Sequence, residues 1–173
     1  VIIFARSKEK ALKVFPYLEE EEHLEIVLGD ISEPICYDGD IDYVIHGASP
    51  TSSKYFVSHP VETIGAAVDG TRYVLELAKQ KQVKGVVYLS SLEVYGTPAE
   101  DAGMITEKDY GYIEPLSVRS SYSEGKRIVE CLCASYAKEY GVPVKVARLS
   151  QTFGAGVAYD DGRVFAEFAR CAI

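Results

Sequence analysis

The sequence lacks several features that would assign it to a specialised class of protein. It contains no tryptophan, and none of its apolar runs approaches the ~20 residues that a helix needs to cross a bilayer. Its 18 Lys and Arg residues are outnumbered by 26 Asp and Glu residues, which gives a formal net charge of -8. Because phosphate contacts require clustered positive side chains, we expect no nucleic-acid partner and no membrane partner.

The four cysteines also lack the spacing of a metal site. No Cys-x-x-Cys pair occurs, and no histidine pattern accompanies the cysteines. Cys131 and Cys133 are two residues apart in a predicted helix and therefore point to different faces. We expect no metal, and we interpret the cysteines as the reduced thiols of a cytoplasmic protein.

What the sequence does contain is an alternation of two hydrophobic periodicities, in a globular composition with 47% hydrophobic residues. Short β-branched runs predict strands at 1–5, 24–28, 42–46, 85–91 and 144–149. Helical spacing predicts helices from Lys8, at 60–82, at 120–140 and at 164–173, whereas 51–59 and 97–118 are predicted to be irregular. This order predicts an α/β fold in which helices cover both faces of a doubly wound parallel sheet.

The sharpest chemical signal is the segment Tyr-Ser-Glu-Gly-Lys at 122–126. Four-residue spacing on a helix places the phenol of Tyr122 and the ammonium of Lys126 on one face. A nearby cation favours the phenolate and is expected to lower the pKa of the phenol towards working pH. Such a tyrosine can take a proton from a hydroxyl group. By itself, however, the same pair is also common on helix surfaces.

A pair of serines ends the strand before this helix, in the segment Leu-Ser-Ser-Leu-Glu-Val-Tyr-Gly at 89–96. Ligands of open parallel sheets bind outside the carboxyl ends of the strands. A hydroxyl there either binds the oxygen that Tyr122 deprotonates or satisfies backbone groups of the strand end. Strand-end serines followed by a helical Tyr-x-x-x-Lys resemble the short-chain dehydrogenase/reductase superfamily, which has a Rossmann-like fold. The ending Glu-Val-Tyr-Gly resembles that of its extended branch, the NAD-dependent epimerases and dehydratases.

Further motifs extend the resemblance through almost the whole chain. They are Val-Ile-His-Gly-Ala-Ser-Pro at 44–50, Asp-Gly-Thr at 69–71, the segment 146–154 and Asp-Gly-Arg-Val at 161–164. The resemblance implies that the dinucleotide is bound by Asp30, Ile31, Gly47, Ala48, Ser49, Ser90, Tyr122 and Lys126. It also implies that a nucleotide-diphosphate sugar is bound by Ser91, Arg119, Gln151 and Arg163. Within the branch, the sequence is most similar to the UDP-glucuronate decarboxylases.

The resemblance implies a transient oxidation at C4 of the sugar. Tyr122 would be the base, Ser91 would donate a hydrogen bond to the reacting oxygen, and Lys126 would anchor the ribose. The resulting ketone would allow decarboxylation, elimination or epimerisation. Glu93 is either a second acid/base or a structural carboxylate.

Leu92 departs from the family pattern in an informative way. The 4,6-dehydratases carry an aspartate here as the acid that expels water, and leucine cannot donate a proton. The departure therefore disfavours simple dehydration. Decarboxylation needs no such acid, because the keto group is the electron sink, and epimerisation remains open. Gln151 and Asp69 stand where the family usually has asparagine.

The identity of the dinucleotide is left open. NAD enzymes usually place an acidic side chain at the end of the second strand, to hold the ribose 2'-hydroxyl. This chain has Arg6 and Ser7 there. Arg6 with Ser7 can hold a 2'-phosphate, which favours NADP, whereas the similarity to decarboxylases favours NAD.

No Gly-x-x-Gly-x-x-Gly loop occurs in the sequence. The first strand here resembles the family's second, so the central strand, the phosphate loop and the C-terminal substrate domain are expected to be missing from residues 1–173. We therefore interpret the chain as a partial dinucleotide-binding domain. We expect that the 173 residues alone neither bind dinucleotide tightly in calorimetry nor turn over substrate.

Two other functions remain open at the level of sequence. One is a noncatalytic relative that binds or regulates, and the other is a reductase of small carbonyls. The resemblance also implies a homodimer formed by two helices of each subunit. Val68, Leu75, Ile128 and Cys131 lie in the two long predicted helices, and each can serve either that interface or the core.

Overall fold

The computed structural model describes residues 1–20, 22–152, 154, 157 and 159–172, and gives only the backbone of Leu18 and Glu19. Phe153, in the predicted 146–154 motif, and Ile173, at the end of the last predicted helix, lie outside the described residues. Within the described residues, no helix is long and apolar enough to cross a membrane.

All five predicted strands are present, each within one residue of its expected bounds. They are β1 (Ile2–Ala5), β2 (Glu25–Leu28), β3 (Tyr43–His46), β4 (Gly85–Ser91) and β5 (Val144–Leu149). All pairings between them are parallel, as expected for crossover connections.

The strands form two sheets, where the sequence predicted a single one. β1 pairs with β2, and β4 lies between β3 and β5. Among the strands that the structure describes, none joins β1 to β3. The break falls where the doubly wound order has its first strand.

The long helices follow the sequence closely. They are α1 (Lys8–Val14), α3 (Pro60–Gln80), α4 (Ser120–Tyr140) and α5 (Val164–Cys171), with short 3-10 helices at Pro16–Glu19 and Leu92–Tyr95. Ser7 caps α1, since its Oγ accepts a hydrogen bond from the N–H of Lys10. α4 ends at Gly141, whose φ of 71° is in the left-handed region that glycine adopts without strain.

One predicted loop contains a helix that the polar composition did not indicate. Residues 51–59 were expected to be irregular, but Ser53–Ser58 form α2. Phe56 is the buried residue of this helix, with 2% of its surface exposed. Its burial against the rest of the protein stabilises a turn that local propensity alone does not favour. The irregular segment 97–118 has one isolated bridge among its described residues, between Thr97 and Tyr112.

The hydrophobic core lies between the second sheet and the paired helices α3 and α4. Val86 and Tyr88 of β4 pack against residues of both helices, including Leu75 and Val129. Alternate residues of a strand share one face, so Ser90 follows Val86 and Tyr88 towards α4. Ser91 ends β4 and is the N-cap of the 3-10 helix Leu92–Tyr95.

Gly70 lets α3 approach the loop that follows β2. A Cβ atom at this position would lie 2.7 Å from Cγ1 of Ile31 and 3.1 Å from its carbonyl oxygen. Only glycine allows so close an approach. Steric contact with Ile31 therefore explains the glycine of the Asp-Gly-Thr segment, and Ile31 packs against α3.

Candidate active site

The carboxyl ends of the first three strands open onto a cavity of about 780 Å³. This volume lies in the range typical of small-molecule sites, roughly 300–1,000 Å³. Six of the residues predicted to bind the dinucleotide or to select it line this cavity: Arg6, Asp30, Ile31, Gly47, Ala48 and Ser49. The structure thus brings these residues together, and their contact with a dinucleotide stays a prediction.

Asp30 is an ionised hydrogen-bond acceptor on the wall of the cavity. Its Oδ1 accepts a hydrogen bond of 2.9 Å from the N–H of Ser32 and one of 2.8 Å from the Ser32 hydroxyl. The bond from the N–H, the bond from the hydroxyl and the charge of Arg6 lower the pKa of Asp30. The carboxylate is therefore ionised at neutral pH and can accept further hydrogen bonds from a ligand.

Ser91, Tyr122 and Lys126 meet at the carboxyl end of β4. The Ser91 hydroxyl lies beside Tyr122 and acts to lower the pKa of the phenol. Nζ of Lys126 lies 5.6 Å from the centroid of the Tyr122 ring and donates a hydrogen bond of 2.9 Å to the carbonyl oxygen of Leu89. The geometry predicted from the four-residue spacing is therefore present, with the strand-end hydroxyl beside the phenol.

The expected lowering of the pKa of Tyr122 was wrong. The pKa is raised, first because burial disfavours the charged phenolate, while the Ser91 hydroxyl acts in the opposite direction. Lys126 is itself buried, and its burial lowers its pKa to about 8. Nζ donates to a backbone carbonyl, and its charge does not outweigh the desolvation of the phenol.

Ser90 is directed away from Ser91 and into the interior. Its Oγ donates a hydrogen bond of 2.6 Å to Oε1 of Glu130. The guanidinium of Arg148 donates to both Glu130 oxygens, the shortest contact being 2.7 Å. The side chain of Ser90 thus ties β4 to α4 and β5, and a role for it towards the dinucleotide stays a prediction.

Glu93 is held by α4 through three hydrogen bonds. Arg119 donates to its two oxygens at 2.7 and 3.0 Å, and Ser123 donates at 2.7 Å. These bonds join the 3-10 helix Leu92–Tyr95 to the beginning of α4, and a role of Glu93 as acid or base stays a prediction. Both terminal nitrogens of Arg119 donate to Glu93, so a substrate that binds Arg119 would compete with the carboxylate of Glu93.

Gln151 and Arg163 lie on a different part of the chain. Gln151 is exposed, and the guanidinium of Arg163 pairs with Asp161, with a shortest contact of 2.7 Å. Among the described residues, neither side chain is in contact with Ser91, Tyr122 or Lys126. Their binding of a nucleotide sugar stays a prediction.

Sequence reasoning missed three residues that support this site. Glu130 lies one helical repeat beyond Lys126 on the same face of α4, and this i, i+4 spacing is a signal that could have identified it. Arg148 and Phe56 gave no such signal. The ring of Phe56 stacks on that of Tyr122 with centroids 4.3 Å apart and planes 8° from parallel.

Known proteins resemble this chain in sequence. The profile of the NAD dependent epimerase/dehydratase family matches residues 7–173. A curated relative, UDP-glucuronic acid decarboxylase 1 of Xenopus tropicalis, is 35% identical over 147 residues, which are 85% of this chain and 34% of the relative. The chain therefore spans about a third of the length of that protein.

Solved structures show the same fold. The dTDP-glucose 4,6-dehydratase of Streptomyces venezuelae, solved with NAD, is similar with a TM-score of 0.77 and 21% identity, over 99% of this chain and 52% of that one. The RMD protein of Pseudomonas aeruginosa, solved with NADPH, gives a TM-score of 0.73 and 25% identity, over 99% and 61% of the two chains.

Proposed function

Because this chain belongs to the NAD dependent epimerase/dehydratase family, we propose that it is the dinucleotide-binding part of an enzyme that modifies nucleotide-diphosphate sugars. The observation that carries the proposal is the meeting of Tyr122, Ser91 and Lys126 at the carboxyl end of β4. A binding module would not need a half-buried phenol and a buried ammonium beside a strand-end hydroxyl. The proposal covers either NAD or NADP as the dinucleotide.

The cavity beside this cluster fits a dinucleotide in both size and chemistry. Gly47 and Ala48 offer backbone at the end of β3, and Asp30 offers a carboxylate acceptor. Arg6 supplies a positive charge on the same wall. When bound, the nicotinamide supplies a hydride acceptor for C4 of the sugar and returns the hydride later.

The residues of the chain then have distinct roles in the proposal. Tyr122 removes the proton of the C4 hydroxyl, and Ser91 donates a hydrogen bond to the same oxygen. Lys126 binds the ribose and, with its positive charge, opposes the desolvation that raises the pKa of the phenol. Burial keeps Tyr122 protonated until substrate arrives, so the base is formed only in the complex.

Decarboxylation is the reaction that we favour after the oxidation. The curated relatives are UDP-glucuronic acid decarboxylases, and Leu92 offers no proton for the loss of water. A ketone at C4 can itself accept the electrons released when the neighbouring carboxylate leaves as carbon dioxide. Glu93, which is fixed by Arg119 and Ser123, is then a structural carboxylate and orients Arg119.

The test uses the full-length protein with a panel of UDP-, dTDP- and CDP-sugars. Release of carbon dioxide from a UDP-hexuronate, with transient nicotinamide absorbance, is the expected result. Tyr122→Phe should lower kcat about a thousandfold, since a positioned base contributes roughly 10²–10⁴. Tyr140→Phe, at the exposed end of the same helix, is the matched control. Turnover that survives in Tyr122→Phe would show that the assigned base is wrong.

We also propose a cytoplasmic homodimer built on α3 and α4. Leu75 belongs to the core and Val68 packs partly against it, so these two residues do not form the interface. Ile128 and Cys131 are exposed on α4, and Val61 and Ile64 are exposed on α3. Sedimentation of wild type and of Ile128→Asp should give a dimer and a monomer respectively.

A further inference from the structure

The short helix α2 lies between the cavity and Tyr122. Consecutive residues of a helix point to different sides. Tyr55 lines the cavity, whereas its neighbour Phe56 is buried against α4. Ser49, Thr51 and Ser52, which lead into α2, line the same cavity. One six-residue helix therefore contacts both the space for a ligand and the proposed base.

Phe56 makes three contacts with the beginning of α4. Its ring stacks on Tyr122 at 4.3 Å, and the guanidinium of Arg119 lies 5.2 Å from its ring centroid. The Ser121 hydroxyl donates a hydrogen bond of 3.4 Å to its carbonyl oxygen. Because Arg119, Ser121 and Tyr122 share one helical turn, a shift of Phe56 would be transmitted to that turn.

This contact limits the positions that the phenol can take. One face of the Tyr122 ring is covered by Phe56, and Ser91 lies beside the phenol. A half-buried ring that stacks on another ring loses much of its freedom to change rotamer. The ring of Phe56 covers part of Tyr122, whose pKa is raised first by burial.

We propose that Phe56 is a positioning residue for Tyr122, which holds the phenol against Ser91 and makes its placement depend on the occupancy of the cavity that Tyr55 lines. The inference rests on the proposed function, because it concerns the base assigned there. A ligand in the cavity fixes the segment from Ser49 to Tyr55, and α2 then fixes Phe56 against the phenol. Binding of the dinucleotide thereby prepares the base.

The first test compares turnover in three variants of the full-length protein. Phe56→Leu keeps an apolar side chain but removes the ring, and it should lower kcat about tenfold or more while the KM for the sugar changes little, because small misplacements of reacting groups are costly. Phe56→Tyr retains the ring and should restore most of kcat. Leu75→Val weakens the core away from Tyr122 and is the matched control for general destabilisation.

The second test observes Tyr122 directly, by NMR of tyrosine labelled with carbon isotope at Cζ, assigned with Tyr122→Phe. In Phe56→Leu the phenol should titrate at lower pH than in wild type, since water reaches it, whereas Leu75→Val should leave its titration unchanged. ADP-ribose, which has no nicotinamide ring, should shift the Tyr122 signal in wild type and shift it less in Phe56→Leu.

The outcomes separate this inference from the proposed function. If Tyr122→Phe is inactive but Phe56→Leu retains wild-type kcat and an unchanged Tyr122 signal, the positioning role is wrong and the enzyme assignment stands. Equal losses of kcat in Phe56→Leu and Leu75→Val would also overturn the positioning role. If Phe56→Leu does not fold, Phe56→Met is assessed by the same criteria. An active Tyr122→Phe would instead overturn the proposed function.

Discussion

The first two strands, which line one side of the cavity, differ sharply in burial from the strand and helix that hold Ser91 and Tyr122. No described side chain before His46 is buried, so β1, α1 and β2 contribute no fully buried residue to the core. By contrast, β4 and α4 contribute Val86, Tyr88, Val129 and Cys133 to the core. The proposed chemistry is thus placed on the well-packed half of the molecule, and the proposed binding on the sparsely packed half.

This difference has a physical basis in what each half must do. Reacting groups require fixed distances, and a dense core with satisfied polar side chains supplies them. A binding cavity requires empty space, and the residues around it bury less surface until a ligand fills it. We therefore expect the catalytic half, built on β4 and α4, to be rigid. We expect the binding half, built on β1, α1 and β2, to gain stability when a ligand binds.

The largest effect on the free energy of unfolding is expected when the ion pair between Glu130 and Arg148, in the rigid half, is broken. Glu130 and Arg148 have 13% and 11% of their side chains exposed. Glu130→Gln should lower the free energy of unfolding by about 4 kcal/mol, because it leaves a buried guanidinium uncompensated. Urea denaturation measures the change. Glu124→Gln, which affects a more exposed pair with Arg127 on the same helix, should change it little. Similar losses in both variants would contradict the comparison.

A second effect of the rigid half depends on pH. His46 is buried, accepts or donates a hydrogen bond of 2.9 Å with Thr71, and has its pKa lowered from 6.5 to about 4, first by burial and then by the charge of Lys126. The unfolded chain therefore binds a proton at a higher pH than the folded chain. Stability is fully present above pH 6.5 and should fall by about 3 kcal/mol as the pH is lowered to 4.

Variants separate this contribution from general acid unfolding. His46→Gln should flatten the dependence of the free energy of unfolding on pH between 6.5 and 4. The exposed His23 provides the control, and His23→Gln should leave that dependence as in wild type. An unchanged slope in His46→Gln would mean that His46 is not kept neutral by the fold.

The smallest effect tests the binding half. A dinucleotide at a hundred times its Kd should stabilise the full-length protein by about 2.7 kcal/mol. Hydrogen exchange should show that amides of β1 and β2 gain the most protection, since these strands bury little without a ligand. Amides of α4 should gain less. An equal gain of amide protection in the two halves would contradict the distinction between a rigid half and a ligand-dependent half.

Local patterns explain which parts of the fold could be predicted. Strands β4 and β5 and helix α4 have the predicted bounds, because hydrophobic periodicity and the terminating Gly141 are properties of neighbouring residues. The meeting of Ser91, Tyr122 and Lys126 followed from one spacing rule and from the rule for strand ends. Helix α2 was missed, because its stability comes from the burial of Phe56 against a helix that begins more than sixty residues later.

The sequence by itself determined the alternating α/β order, the family and which residues form the candidate catalytic cluster, since each is carried by short-range spacing. Only the tertiary structure decided that Ser90 faces Glu130, that Glu93 is held by Arg119 and Ser123, and that the pKa of Tyr122 is raised. The physical reason is that burial and hydrogen-bond partners arise between segments far apart in the chain. Local pattern can name a charged or phenolic group, but its surroundings set its protonation and its freedom to react.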